Sequence, residues 1–389
     1  MIGSPTIYQV LLLGKTDTRS SHFKSFLLDR VAELGVDKAA VLFLDSVTAA
    51  SRDRRLPAFG VFFGDSAVAV NSATIAELLS DSVVLAPVVT SLDLAAAELP
   101  PQLCHINAVE YSSQIVDRVV SLALETFRLL RAERRLFISY RRKDSQPFAD
   151  RLYDALDSRG FDVFLDTRSV PPAADFQAEL WHRMSDSDVV VLIDTPGFRA
   201  SRWTTEELAR ANATNVQILH LLWPGQTEDA SSSFSHFMKL DASHFAAADI
   251  GRGETVTVNA LSDIYSAAER LRARAVAARH RYLVDSFCDA ARDFGMNPSL
   301  HPERWIEIKR ATGRTLAVVP AIGVPTSDRL NAIFDAVADK KTNLRDLWVI
   351  YDNRGLLTEW LSHLEWLNTH LPVRVVQMAA VPKLLEGLP

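Results

Sequence analysis

The stretch LFISYRRKDSQPFADRLYDALDSRGFDVFLD, Leu136–Asp166, decides the fold. It opens on an apolar run, LFISY, passes through a helical pattern in FADRLYDALDSRG that stops at Gly160, and returns to a second apolar run, DVFLD. Strand, helix and strand in so short a span read as one turn of a parallel α/β sheet. The pattern continues outward through helix DFQAELWHRMSD, strand DVVVLID, helix TTEELARAN and strand VQILHLLW, to about Leu222. Every step between elements is short, as a doubly wound sheet requires.

Upstream, from Tyr8 to about Ser112, the runs YQVLLLG, AAVLFLD, FGVFF and SVVLAPVV alternate with helical patterns, which predicts another parallel α/β unit. Ile115 to Arg131 carries apolar residues at helical spacing and reads as a joint. Downstream, GQTEDASSSFS is a loop, and Asn259 to Phe294 a long helix, whole or broken, ending at GMNP. Strands TLAVVPAIG, DLWVIYDN and VRVVQMA with two intervening helices then predict a third α/β, Rossmann-like domain. The expected organisation is an α/β domain over 1–112, a helical linker over 113–133, a central domain over 134–258, a long helix over 259–295 and a C-terminal domain over 296–389.

The first two domains share features. Phe23, Leu27 and Gly35 stand in register with Phe148, Leu152 and Gly160, and each set is followed by a strand ending in Phe-Leu-Asp and later by Ser-Asp-Ser. A duplication would leave such parallels, and so would two domains that each need an amphipathic helix, a turn glycine and a buried strand.

Composition narrows the function classes. In 389 residues, 48 % are hydrophobic and 23 % charged, within the range of folded globular proteins. The net charge of −6 argues against a dedicated nucleic-acid binder. No apolar run approaches the roughly 18 residues of a spanning helix, and the first residues do not form a signal peptide, so a cytoplasmic protein without membrane contact is expected. Cys104 and Cys288 lie too far apart for a disulfide framework or a CxxC metal site. HLEWLNTH lacks the spacing that puts two imidazoles on one helical face, so no metal site is expected. Arg270, Arg272, Arg274, Arg279 and Arg281 spread around the circumference of the long helix and read as a solvated surface.

Four blocks of the central domain, RRLFISYRRKDSQPFADRLYDAL, GFDVFLDTRSVPPAADFQAEL, SDSDVVVLIDTPGFRASRWTTEEL and VQILHLLWPG, resemble in order and spacing those of Toll/interleukin receptor (TIR) domains, especially bacterial ones. The resemblance spans about residues 134 to 225 and implies a flavodoxin-like α/β fold. Some TIR domains are adaptors that self-associate. Others split NAD⁺ at the nicotinamide–ribose bond, often in antiviral defence, and need no cofactor beyond NAD⁺ as substrate.

The family's Trp-x-x-x-Glu spacing falls on Trp203 and Glu207 and selects Glu207 over Glu206 as the catalytic acid. Four residues apart, the two share a helix face, so the indole could wall the pocket that the carboxylate enters. Glu207 is equally the third residue after Thr204, the spacing of a capping box, in which it would only satisfy backbone N–H groups. Arg141 and Arg142 follow the first strand of the domain at its carboxyl end, where open α/β sheets bind ligands, and could hold a pyrophosphate. Ser139, Asp144 and Asp166 could line the same cleft, although strand-end Ser and Asp also serve as turn caps. The loop carrying Arg168, Val170, Pro171 and Pro172 matches the TIR loop that contacts a neighbouring protomer, with Ala173 where the family usually has glycine. The resemblance implies homotypic TIR–TIR assembly set off by a trigger acting through the flanking domains. The first domain has no Trp-x-x-x-Glu at the matching place, so if it is a TIR-like copy it is a sensing, docking or inhibitory one.

Overall fold

A computed structural model describes residues 6–65, 72–165, 176–198, 214–228, 235–246, 250–301, 304–310, 313, 315–338 and 344–388. The chain divides into two compact units, Met1–Ala132 and Glu133–Pro389.

The first unit contains strands β1 (Tyr8–Gly14), β2 (Val41–Asp45), β3 (Ala58–Phe63), β4 (Val84–Val89) and β5 (Val109–Glu110), and helices α1 (Thr18–Glu33), α2 (Ser72–Ser80), α3 (Ala95–Glu98) and α4 (Ser113–Thr126). The strands form one parallel sheet in the order β2-β1-β3-β4-β5. Alternate residues point to opposite faces of a strand, and both faces are apolar here. Leu11, Leu13 and Phe62 pack with Ile75 and Leu78 of α2 on one side. On the other, Phe63 meets Phe23 of α1, and Tyr8 and Phe59 meet Phe127 just past α4. Helix α4, read from sequence as a joint, packs on α1 and is held there by buried Arg30, whose guanidinium pairs with Asp117 at 3.2 Å.

The second unit begins with β6 (Arg135–Ser139), α5 (Arg142–Asp157), β7 (Asp162–Leu165), α6 (Phe176–Asp186), β8 (Val189–Asp194), β9 (Gln217–Leu222) and β10 (His236–Lys239). These strands form a second all-parallel sheet, β10-β9-β8-β6-β7. Leu136, Ile138, Val189, Val191, Leu219 and Leu221 face α5. Phe137, Val190, Leu192 and Ile218 face the other way, onto Met184 and Phe198.

A single unbroken helix, α7 (Val258–Asp293), follows. Ile264, Ala268 and Leu271 complete the core under α5, while Leu283, Val284, Phe287 and Ala291 enter the core of the next domain. That domain comprises β11 (Pro298–Leu300), β12 (Ile306–Lys309), β13 (Thr315–Ala321), α8 (Ser327–Ala338), β14 (Leu344–Tyr351), α9 (Thr358–Leu367), β15 (Val373–Gln377) and α10 (Val381–Glu386). Its sheet, in the order β11-β12-β13-β14-β15, has three parallel strands and an antiparallel edge pair that the sequence pattern did not signal. The protein is thus an α/β chain whose described residues form three five-stranded sheets.

The arginines of α7 correct the reading of a solvated surface. Arg270, Arg274 and Arg281 are exposed, but Arg272 is fully buried and Arg279 nearly so. A buried guanidinium needs carboxylate or carbonyl partners. Arg272 lies 3.5 Å from Asp188 and 3.8 Å from Glu269, and Glu269 also pairs with Arg134. Arg279 donates to the carbonyls of Ser187 (3.0 Å) and Ser185 (2.6 Å), at the turn between α6 and β8.

The same turn is gripped by the C-terminal domain. The Asp186 carboxylate accepts from the Val324 backbone N–H at 2.8 Å, just past β13, and also pairs with Arg135. His182 stacks on Trp360 with ring centroids 5.9 Å apart. Gly355 sits so close that a Cβ there would lie 2.0 Å from Ser185 Oγ, so only glycine fits without displacement.

Candidate functional site

In the second sheet the chain leaves β6, pairs β7 on one side and returns to place β8 on the other. The reversal opens a crevice at the carboxyl ends of β6 and β8, the position where such sheets take ligands. Ser139, the last residue of β6, is buried beside Leu192 of β8. Next come Tyr140 and Arg141, and then α5.

The start of α5 is not a simple helix. Ser145 has φ −147° and ψ 23°, which divides an N-terminal turn, Arg142–Asp144, from the helix proper. Pro147 accounts for the break, because it has no N–H to give and its ring would collide with the carbonyl four residues back. No side chain caps the helix at Arg141. The detached turn instead serves the crevice. Arg141 Nη1 lies 3.2 Å from Asp144 Oδ2, and Thr195 Oγ1, from just past β8, donates to the same oxygen at 2.9 Å. Gly197 permits this closeness: a Cβ there would stand 1.9 Å from Arg141 Nη1 and 2.5 Å from Asp144 Oδ2. Arg141, Asp144, Thr195 and Gly197 therefore join the two strand ends.

Arg142 is exposed, and its carbonyl accepts from Arg252 Nη2 at 2.6 Å, tying the turn to residues 250–254. The Arg141 guanidinium lies between the strand ends.

Below the crevice Asp194, fully buried at the end of β8, meets His220 of β9 at 3.0 Å, and Phe237 stacks on the imidazole. Sequence reasoning passed over this pair and Thr195. Its signal was present, since an Asp and a His on the apolar period of buried strands must find partners. Trp203, Glu207, Asp166, Arg168, Val170, Pro171 and Pro172 lie outside the described residues. Among the described residues no cluster of His, Cys, Asp or Glu could hold a metal ion, and no helix is long and apolar enough to cross a membrane.

No curated protein matches the chain. Solved structures give only weak likenesses. A tagatose-6-phosphate ketose/aldose isomerase from Escherichia coli is 11 % identical over 70 % of this chain and 82 % of its own, with a TM-score of 0.22. An ABC sugar transporter subunit from Rhodobacter sphaeroides is 11 % identical over 70 % of this chain and 93 % of its own, at 0.19. At such scores neither carries an argument. The family comparison is specific: residues 136–252 match the TIR domain family. Strands β7 to β10 and nearly all of β6 fall inside that span, and over those residues the chain carries a TIR domain.

Proposed function

We propose that this protein cleaves NAD⁺ at the nicotinamide–ribosyl bond. The observation that carries the reading is the pair Trp203 and Glu207, at the family's spacing inside the matched span, in a domain whose sheet opens a crevice beside Arg141. Nicotinamide leaves as a neutral base from a cationic pyridinium, so it needs no proton from the protein. The ribose is the group that needs help, because it develops oxocarbenium character as the C–N bond breaks. A fixed Glu207 carboxylate stabilises that charge, Trp203 walls the nicotinamide pocket, and Arg141 and Arg142 hold the pyrophosphate, with Ser139 and Asp166 lining the cleft. Water then adds to the anomeric carbon and loses a proton, or the adenine ring adds and gives a cyclic product. No metal or bound cofactor takes part.

An unrestrained NADase would drain the cell, so activity follows assembly. Homotypic contacts run through the loop of Arg168, Val170, Pro171 and Pro172. The trigger acts through the neighbouring domains, in a cytoplasmic defence role. The contacts of Arg279 and Val324 with the α6–β8 turn support such coupling, because they tie the TIR domain directly to the C-terminal domain.

TIR domains commonly associate with one another, which supports a second reading: an adaptor in which Glu207 only caps its helix in a Thr204-x-x-Glu207 box. The deciding experiment follows NAD⁺ loss and nicotinamide release by wild type and Glu207→Gln over a range of protein concentrations, with and without cell or phage extract. Turnover in wild type that vanishes in a folded Glu207→Gln supports the enzyme. Silence from both under every condition leaves the adaptor. Thr204→Ala separates them further, lowering helix stability in the capping role while leaving chemistry largely intact in the catalytic one.

A further inference from the structure

The first domain carries a crevice of its own. Its strand order, β2-β1-β3-β4-β5, places the reversal between β1 and β3, where flavodoxin-like sheets hold their ligands. Two glycines bring the backbones close there. Gly14 ends β1 at φ 77°, and a Cβ on it would lie 2.3 Å from the Phe63 carbonyl oxygen. A Cβ on Gly64, just past β3, would crowd the Glu98 side chain at 3.0 Å.

Between these strand ends lies Arg19, in the first turn of α1 and only 6 % exposed. Its Nε donates to Asp17 Oδ2 at 2.9 Å and its Nη2 to the Gly64 carbonyl at 2.9 Å, over the face of Phe63. These contacts fix the guanidinium at the end of β3. The remaining nitrogen, Nη1, is buried and has no hydrogen-bond partner among the described residues. An N–H left so is costly to bury, and on a guanidinium pinned by its other nitrogens it is a donor of fixed direction. Lys15 stands at the same strand end, half exposed, its ammonium on Asp65. The neighbouring acids are committed: Asp17 caps α1 through the Arg19 backbone N–H, and Glu98 accepts from the backbone N–H and hydroxyl of Thr90.

We propose that this crevice is a binding site for the phosphate of a small phosphorylated ligand, with Arg19 Nη1 as the buried donor and Lys15 as the outer one, its ammonium passing from Asp65 to a phosphate oxygen. Arginine matches phosphate geometry, and a bond between charged partners shielded from solvent is strong. The assignment concerns the first domain alone and does not depend on whether the TIR domain cleaves NAD⁺.

The test is calorimetric titration of the full chain with inorganic phosphate and with AMP, at matched ionic strength, with acetate as the carboxylate control. Wild type should show one saturable site per chain for phosphate or AMP. Lys15→Ala, at an exposed position that leaves the fold intact, should weaken it about tenfold, and Arg19→Gln should abolish it. Should Arg19→Gln fail to fold, the Lys15→Ala comparison decides. Absence of saturable binding by either probe in wild type overturns the proposal. So does binding that the substitutions leave unchanged, which would put the anion elsewhere, and so does acetate binding as tightly as phosphate, which would make this a carboxylate site.

Discussion

The two all-parallel sheets can be laid over one another element by element. Both run in the order second, first, third, fourth, fifth strand. In each, the helix after the first strand buries a phenylalanine, Phe23 or Phe148, and ends on a left-handed glycine, Gly35 at φ 74° or Gly160 at φ 86°. Even the closing hydrogen bonds correspond: Val36 N–H to the Val31 carbonyl, and Phe161 N–H to the Leu156 carbonyl. The crevices then part company. At the offset that aligns Phe23 with Phe148, Arg19 aligns with Asp144. One sheet offers a cationic donor to the end of its third strand, and the other an acidic acceptor that takes Thr195 and Arg141. A common backbone therefore serves opposite chemistry through a change of charge at one helical position.

The largest effect should come from the matched phenylalanines. Phe23→Ala and Phe148→Ala each empty a fully packed site and should each cost about 3–5 kcal/mol in denaturant unfolding. A large inequality would break the likeness of the two cores. Next, Asp186→Ala strips a charged partner from the Val324 N–H and from Arg135, contacts that belong to the second unit. About 2–3 kcal/mol should be lost there, seen as faster hydrogen exchange at β13 and β8, with the first unit untouched.

Acid should then separate the units. Burial and the nearby Arg304 charge push the His280 imidazole of α7 down to about 3, from an ordinary 6.5. A base with a lowered folded pKa binds its proton more readily once unfolded, so its contribution is intact above about pH 6.5 and is lost as pH falls toward 3. At pH 5 this should cost the second unit about 2 kcal/mol, and His280→Leu should remove that slope from its pH–stability curve. The smallest contrast concerns helix starts. Asp17 caps α1 and also pairs with buried Arg19, so Asp17→Ala should cost at least about 1 kcal/mol, whereas α5 has no side-chain cap and Arg141→Ala should change thermal stability by less than about 0.5 kcal/mol.

The sheets were legible wherever a strand is buried on both faces. YQVLLLG and VVVLID read directly as β1 and β8 because nothing polar interrupts them. β5, β10, β11 and β12 escaped because they are two to four residues long and lie at or near sheet edges, where half-exposed side chains leave no run to detect. The burial of Arg272 and Arg279 was equally hidden, since Asp188 and Ser185, which receive them, are remote in sequence and come near only when α7 packs on the sheet. At the crevice, Ser139 and Arg141 could be placed from the end of β6 alone. Thr195 and Gly197 could not, because their part depends on how closely the turn after β8 approaches Asp144.

The matched TIR span ends at residue 252, yet the core beneath its sheet does not. Ile264, Ala268 and Leu271 of α7 form one wall of that core, and the far half of the same helix forms a wall of the next. The segment that a family comparison isolates is therefore smaller than the segment that can stand alone. Cutting the chain after 252 would bare Leu219 and Leu221 to water, and cutting within α7 would open both cores together. Inheritance and folding set their borders in different places here, and melting should treat the second unit as one cooperative body.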